Sequence, residues 1–188
     1  MSNIEDILEY NKKFVDSKQY ELYATTKYPS KKIAIVSCMD TRLTKLLPAA
    51  LNIKNGDIKV IKNAGAIITH PFGSVMRSLL IAIYNLDVED IMVIGHYDCG
   101  MQKLESSVLI DKMLDRGITQ EKIDMINYCG IDIHKWLSGF DSAEQSVLET
   151  VHMINQHPLL PKDIRTHGFL IDPATGRLDR LSLIPASA

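Results

Sequence analysis

Two short stretches concentrate the reactive side chains of this chain. In IAIVSCMDTRL (33–43) an apolar run delivers Cys38, followed by Asp40 and Arg42 at alternate positions; in IMVIGHYDCGM (91–101) a second apolar run ends on His96 and Cys99. Two sulfurs and one imidazole form a soft-to-borderline donor set of the kind that favours zinc. The H-x-x-C spacing lets a single turn offer two donors to one ion, with Cys38 arriving from a different segment. Three protein ligands leave a coordination place for water, as catalytic sites do, whereas structural sites close with a fourth. Asp40 stands near enough in sequence to be that fourth ligand. A guanidinium grips a carboxylate in a bidentate pair. Gripped by Arg42, Asp40 is pulled off the metal and orients a base; released, it closes the site as a latch.

These residues need elements that hold them. KKIAIVSC (31–38), GDIKVIKNAG (56–65) and EDIMVIGH (89–96) read as strands, short and rich in β-branched residues. Both reactive clusters then lie just past strand C-terminal ends, where open α/β sheets bind ligands. If the first and third strands are neighbours, with the second beyond the first, the clusters meet. Residues 3–20 place Ile4, Ile7, Leu8, Phe14 and Val15 at helical spacing, an apolar stripe that must find a surface to cover. TRLTKLLPAALNI (41–53) reads as a loop into a short helix interrupted by Pro48. A helix over about 71–86, with Pro71 in its first turn, is apolar on nearly every face and reads as internal, with Val75, Met76, Leu79 and Leu80 in the core. A helix beginning near Gly100 would add partial positive charge beside the thiolates, and the polar stretch to about 138 is helix-rich. Ser142 and Gln145 form a capping box for a helix ending ahead of His157-Pro158, and 166–184 reads as a strand, a turn at Asp172–Gly176 and a final strand. The alternation predicts one α/β domain over 1–188, a mostly parallel sheet with helices on both faces.

Composition narrows the function. The 188 residues suit a single core, 46% are hydrophobic and 23% charged, and the net charge of −2 is mixed along the chain, so nucleic acid is not an expected partner. The segment MSNIEDILEYNKKF does not read as a secretory leader and no run approaches about 20 apolar residues, so a membrane is not expected either. Three cysteines at irregular spacing suggest no disulfide framework, which fits a reducing cytoplasm. Cys129 has no partner nearby in sequence and reads as a free buried thiol. His70, His134, His152, His157 and His167 show no ligand spacing, and Arg77 faces either the crevice or a subunit interface. A thiol phosphatase or sulfurtransferase loop is disfavoured, because CMDTRL puts an acid where an anion would bind and lacks the glycines of such a loop.

The C-x-D-x-R of CMDTR and the H-x-x-C of HYDC, with the NAGA turn (63–66) and GFLIDPATGRL (168–178), resemble the β-carbonic anhydrases, specifically the small bacterial and archaeal members, over about residues 30–182. The resemblance implies a sheet ordered 2-1-3-4 with a C-terminal antiparallel edge strand, a zinc-binding core over 30–182 and an N-terminal helical arm over 1–25 laid on a partner subunit. The assembly would be a homodimer or homotetramer. It implies Cys38, His96 and Cys99 as ligands of one Zn2+ per subunit, Asp40 and Arg42 as the catalytic dyad, and reversible hydration of carbon dioxide to bicarbonate and a proton. Two thiolates cancel the charge of the ion, so its water should titrate above the roughly 7 of a three-histidine site, and activity should rise through mildly alkaline pH. Ile67, Ile68 and Phe72 are candidate pocket residues, and Asp98 is either an acceptor behind the site or a solvated turn residue. Hydrolysis of carbon disulfide or carbonyl sulfide on the same centre, and a non-enzymatic zinc-stabilised regulator, are the alternatives.

Overall fold

A computed structural model describes residues 2–182. Strand β1 (Ile33–Cys38) is buried at every position after its first, as an interior strand of a parallel sheet covered on both faces must be. On one side it pairs in parallel with β2 (Ile58–Asn63), on the other with β3 (Asp90–His96). Next to β3 lies β4 (Arg165–Ile171), again parallel, and β5 (Leu178–Leu181) closes the far edge antiparallel. The order is therefore β2-β1-β3-β4-β5, as the resemblance implied. The strand order reverses between β1 and β3, and the crevice beyond their C-terminal ends is where the two reactive clusters come together.

Alternate residues of the strands feed two cores. Ala34 and Val36 of β1 with Ile91 and Val93 of β3 face Met76 and Leu79 of α3 (Ser74–Leu86) and Val147, Val151 and Ile154 of α7 (Ala143–Asn155). On the other face Ile35, Ile94 and Ile171 meet Leu43 and Leu47 of α2 (Leu43–Ala50). Each fully buried Ile, Leu or Val contributes about 1.5–3 kcal/mol relative to an exposed one, which makes this sheet a stiff floor for what stands on its end.

Several expectations change in detail. Helix α1 (Asn3–Asp16) stops short of residue 20, and a separate 3-10 turn follows at Gln19–Tyr23. Pro48 does not interrupt α2: the helix runs through it, forgoing the bond to the Thr44 carbonyl, and Leu51 and Ile53 still donate to Leu47 and Pro48. Pro71 lies in a turn ahead of α3 rather than in its first turn, with Gly73 as the N-cap. Nor is α3 wholly internal, since Met76, Leu79, Ala82 and Ile83 are buried while Ile81 and Tyr84 face outward. Val75 and Leu80 are packed against the core only in part, and Arg77 is exposed. The capping box is half formed: Ser142 accepts from the Gln145 N–H, but the Gln145 side chain turns to Glu149.

The stretch after Gly100 begins as turns, and its first helix, α4, opens only at Ser106 (Ser106–Asp115). With α5 (Gln120–Tyr128) and α6 (Ile133–Leu137) it encloses a small cluster of Ile110, Ile123 and Ile133. The final strand ends at Leu181; the expectation of strand to 184 runs past the described residues. Among the described residues no helix is long and apolar enough to cross a membrane.

Candidate metal centre

Cys38 ends β1 and His96 ends β3, so neighbouring strands set their separation. Cys99 follows a tight turn in which Asp98 takes a positive φ of 53°, a conformation Asp tolerates better than most residues. The two sulfurs and a ring nitrogen of His96 lie within 4.8 Å of one another, all three side chains buried. Sγ of Cys38 is 3.9 Å from Sγ of Cys99. This is a cluster that could hold a metal ion.

The donor set fits one. Nδ1 of His96 donates to the Tyr97 carbonyl at 2.8 Å, which fixes the tautomer and leaves the lone pair on Nε2. That Nε2 is buried and has no hydrogen-bond partner among the described residues. An unsatisfied buried polar atom is costly, and a cation coordinated there would remove the cost. The thiols point the same way. Burial pushes Cys38 up, but the adjacent His96 imidazole and the N–H groups of Asp40 and Gly65 outweigh it and bring the thiol down to about 7. Burial pushes Cys99 up to about 11, with the charge on Cys38 adding to the effect. Two adjacent sulfurs cannot both ionise unaided; a divalent cation between them lets both do so.

Asp40 borders this cluster. Its Oδ2 is 3.8 Å from His96 Nε2, and the carboxylate is held by Arg42. Nε of Arg42 donates to Oδ1 at 3.1 Å and Nη2 to Oδ2 at 2.8 Å, while the Arg42 backbone N–H donates to Oδ1 at 2.8 Å. Those bonds from Arg42 hold the Asp40 carboxyl well below the usual carboxylate range, at about 2. The pair foreseen from the two-residue spacing is thus formed.

Three features were not legible beforehand. Gly65, in the NAGA turn, donates its backbone N–H to Cys38 Sγ at 3.4 Å. Its φ of +83° and the Phe140 ring, 2.9 Å from where a Cβ would stand, both require glycine there. The Tyr97 carbonyl that orients His96 carries no sequence signal at all. Nor does Cys99 receive help from a helix, because none begins near Gly100. Burial, with the charge on Cys38, raises its thiol.

Other expected residues lie elsewhere. Ile67 and Ile68 line an apolar cleft of about 950 Å³ with Phe140, Trp136 and Met153, whereas Phe72 is exposed and lies tilted against His157, centroids 5.1 Å apart. Cys129 is exposed, not buried, because it caps the outer end of α5. His70, His134, His152, His157 and His167 take no part in the cluster.

Comparison with known proteins agrees with this geometry. A family profile described as "Carbonic anhydrase" matches residues 33–178. The Bacillus subtilis (strain 168) protein named "Putative carbonic anhydrase YtiB" is 53% identical over 95% of this chain and 96% of its own. The crystal structure of β-carbonic anhydrase isoform I from Trichomonas vaginalis superposes with a TM-score of 0.88 at 36% identity, covering 96% of this chain and 98% of that one. A carbon disulfide hydrolase of Acidithiobacillus thiooxidans is 26% identical over 79% of this chain and 76% of its own.

Proposed function

The chain belongs to the β-carbonic anhydrase family, and on that premise we propose that it catalyses the reversible hydration of carbon dioxide to bicarbonate and a proton. Cys38, His96 and Cys99 would hold one Zn2+ per subunit. The observation that carries the reading is the meeting of three buried donor atoms within 4.8 Å, one of them a ring nitrogen with no hydrogen-bond partner among the described residues. When bound, zinc supplies Lewis acidity that makes water a nucleophile near neutral pH.

The chain's own residues do the rest. Asp40, kept ionised by Arg42, is an acceptor that can take a hydrogen bond from the attacking water and turn its lone pair toward the carbon. It is too weak a base, at about 2, to carry the proton away, so its part is orientation. Tyr97 holds the imidazole through its carbonyl, and Gly65 steadies the Cys38 sulfur. Ile35, Leu43, Ala66, Ile94 and Ile171 pack around the cysteines and keep bulk water from their side of the centre.

The match from Ile33 to Leu178 supports a zinc-binding core over 30–182 with residues 1–25 as an arm. The exposed stripe of Ile4, Ile7, Leu8 and Val15 along that arm supports a homodimer, or a multiple of one, and free cysteines are consistent with a cytoplasmic setting.

The test is stopped-flow proton release with carbon dioxide on metal-analysed protein at pH 7 and 8.5. A zinc-dependent rate, higher at pH 8.5, is expected. Stoichiometric zinc with hydrogen sulfide released from carbon disulfide, and no proton release from carbon dioxide, would transfer the site to the sulfur substrate. Zinc with neither reaction would make the protein a zinc-stabilised regulator.

A further inference from the structure

The outer edge of the Arg42 guanidinium is as fully engaged as the edge that grips Asp40. Nη1 donates to Asp98 Oδ2 at 2.8 Å, and Nη2 donates to the Asp98 carbonyl at 2.8 Å. With Nε and the other Nη2 hydrogen on Asp40, a single Nη1 hydrogen is left for solvent. We propose that Asp98 is a positioning residue: it fixes Arg42 so that Arg42 keeps Asp40 beside the donor set instead of within it. The proposal rests on the reading of the site given above.

The alternative, a solvated turn residue, predicts a side chain with no fixed partner. Asp98 is 85% exposed at its side chain, yet it addresses one guanidinium with both its carboxylate and its carbonyl. Its positive φ of 53° turns the two groups in that common direction. The contact also ties the loop after β1 to the turn that carries Cys99. Without Asp98, Arg42 keeps only Asp40, and a long side chain anchored at one edge regains rotameric freedom. The pair can then shift together, and Asp40 Oδ2 is already 3.8 Å from His96 Nε2. A carboxylate so released would be free to serve as a fourth ligand to the ion that Cys38, His96 and Cys99 would hold.

Two variants keep the backbone: Asp98→Asn and Asp98→Gly both accept a positive φ, so a purely structural turn would tolerate either. The readouts are the rate of zinc release to a chelator, the visible spectrum of the cobalt-substituted protein, and kcat with KM for hydration. Because the carboxylate is exposed and screened, the effect should be modest: Asp98→Gly releases zinc roughly twofold to fivefold more slowly, with a similar fall in kcat. The cobalt spectrum should shift toward that of a carboxylate-ligated ion, with Asp98→Asn intermediate. Raising the salt should move the native protein toward the variant. In an Asp40→Asn background, Asp98→Gly should change none of these.

Equal release rates and spectra for Asp98→Gly and the native protein would overturn the proposal, as would a shift that persists without the Asp40 carboxylate. Zinc release and the cobalt spectrum are read whether or not carbon dioxide is hydrated. A protein that binds zinc and hydrates nothing therefore contradicts the proposed function, and the release comparison still decides the role of Asp98.

Discussion

Around the Cys38–His96–Cys99 cluster, this chain covers its own apolar side chains; along α1 it buries none fully and half-covers only Phe14, which lies against Tyr23. Ile35, Leu43, Ile94 and Ile171 are 0% exposed beside the cysteines, whereas Ile4, Ile7 and Leu8 stand 61–62% exposed on the helix. Local signals are good in both places. Helix α1 has Ser2 as its N-cap, Glu5 and Asp6 in its first turn, and a Glu9–Lys13 pair one turn apart. Such devices contribute tenths of a kcal/mol to about 1 kcal/mol each, and a helix of 14 residues without tertiary packing is marginal in water. The cluster instead inherits its geometry from a buried sheet. One region gathers its donors and their apolar surroundings among the described residues, and the other has an apolar face that the described residues leave largely exposed.

The largest effects should come from breaking the first of these regions at its ligands. Cys99→Ala should lose stoichiometric zinc, while Asp40→Asn should keep zinc and lose hydration by roughly 10²–10⁴-fold, the range of a lost acid–base or orienting group. Metal analysis and stopped-flow proton release on both variants check this. Full activity in either would remove the mechanism, and full zinc in Cys99→Ala would remove the centre.

A smaller effect tests whether the sheet supports the cluster. At Gly95, the residue before His96, an added Cβ would stand 2.6 Å from Val147 Cγ2 and 3.1 Å from Leu170 Cδ2. Gly95→Ala should therefore lower stability by about 1–3 kcal/mol, read from denaturant or thermal unfolding, because α7 packs too closely to yield. No loss would mean that this face is looser than its buried residues indicate.

Legibility in the sequence follows the same division. The strands were readable because β-branched runs ending in reactive residues are local patterns, whereas their order, on which the meeting of Cys38 with His96 and Cys99 depends, was only a condition in the residue reading and came from the family resemblance. The Asp40–Arg42 pair was readable from an acid and a base two residues apart, but extended backbone is not what forms it: the chain turns at 41–42, Arg42 takes helical φ and ψ, and Asp40 accepts from the Arg42 backbone N–H as well as from its side chain. What escaped depends on contacts between distant segments or on backbone groups. Gly65 N–H on Cys38 and the Tyr97 carbonyl on His96 are main-chain atoms, and the residue types at those positions do not announce where such atoms point. Asp98 could not be told from a solvated turn residue, since its partner is 56 positions away. Helix limits near Pro48, Pro71 and Gly100 failed for a related reason: a proline or glycine marks a bend, but packing decides whether the helix begins before or after it.

The smallest effect on the chain itself, and the sharpest on the contrast between the regions, belongs to α1. Ile7→Asp combined with Leu8→Asp leaves the N-cap and the Glu9–Lys13 pair in place and removes no buried contact, because no residue of α1 is buried. Exposed substitutions of this kind change the stability of a chain by about 0.5 kcal/mol or less. If α1 covers a second copy, the native protein should scatter light as a dimer or larger, and its melting temperature should rise with protein concentration. The doubly substituted protein should scatter as a monomer, melt independently of concentration and still bind zinc, since Cys38, His96 and Cys99 all come from one chain. An assembly unchanged by two acids in the middle of the stripe would mean that the subunits meet elsewhere. A variant monomer that has lost far more than 0.5 kcal/mol would mean that α1 folds back on its own chain, and the division between a self-sufficient centre and a dependent helix would fail.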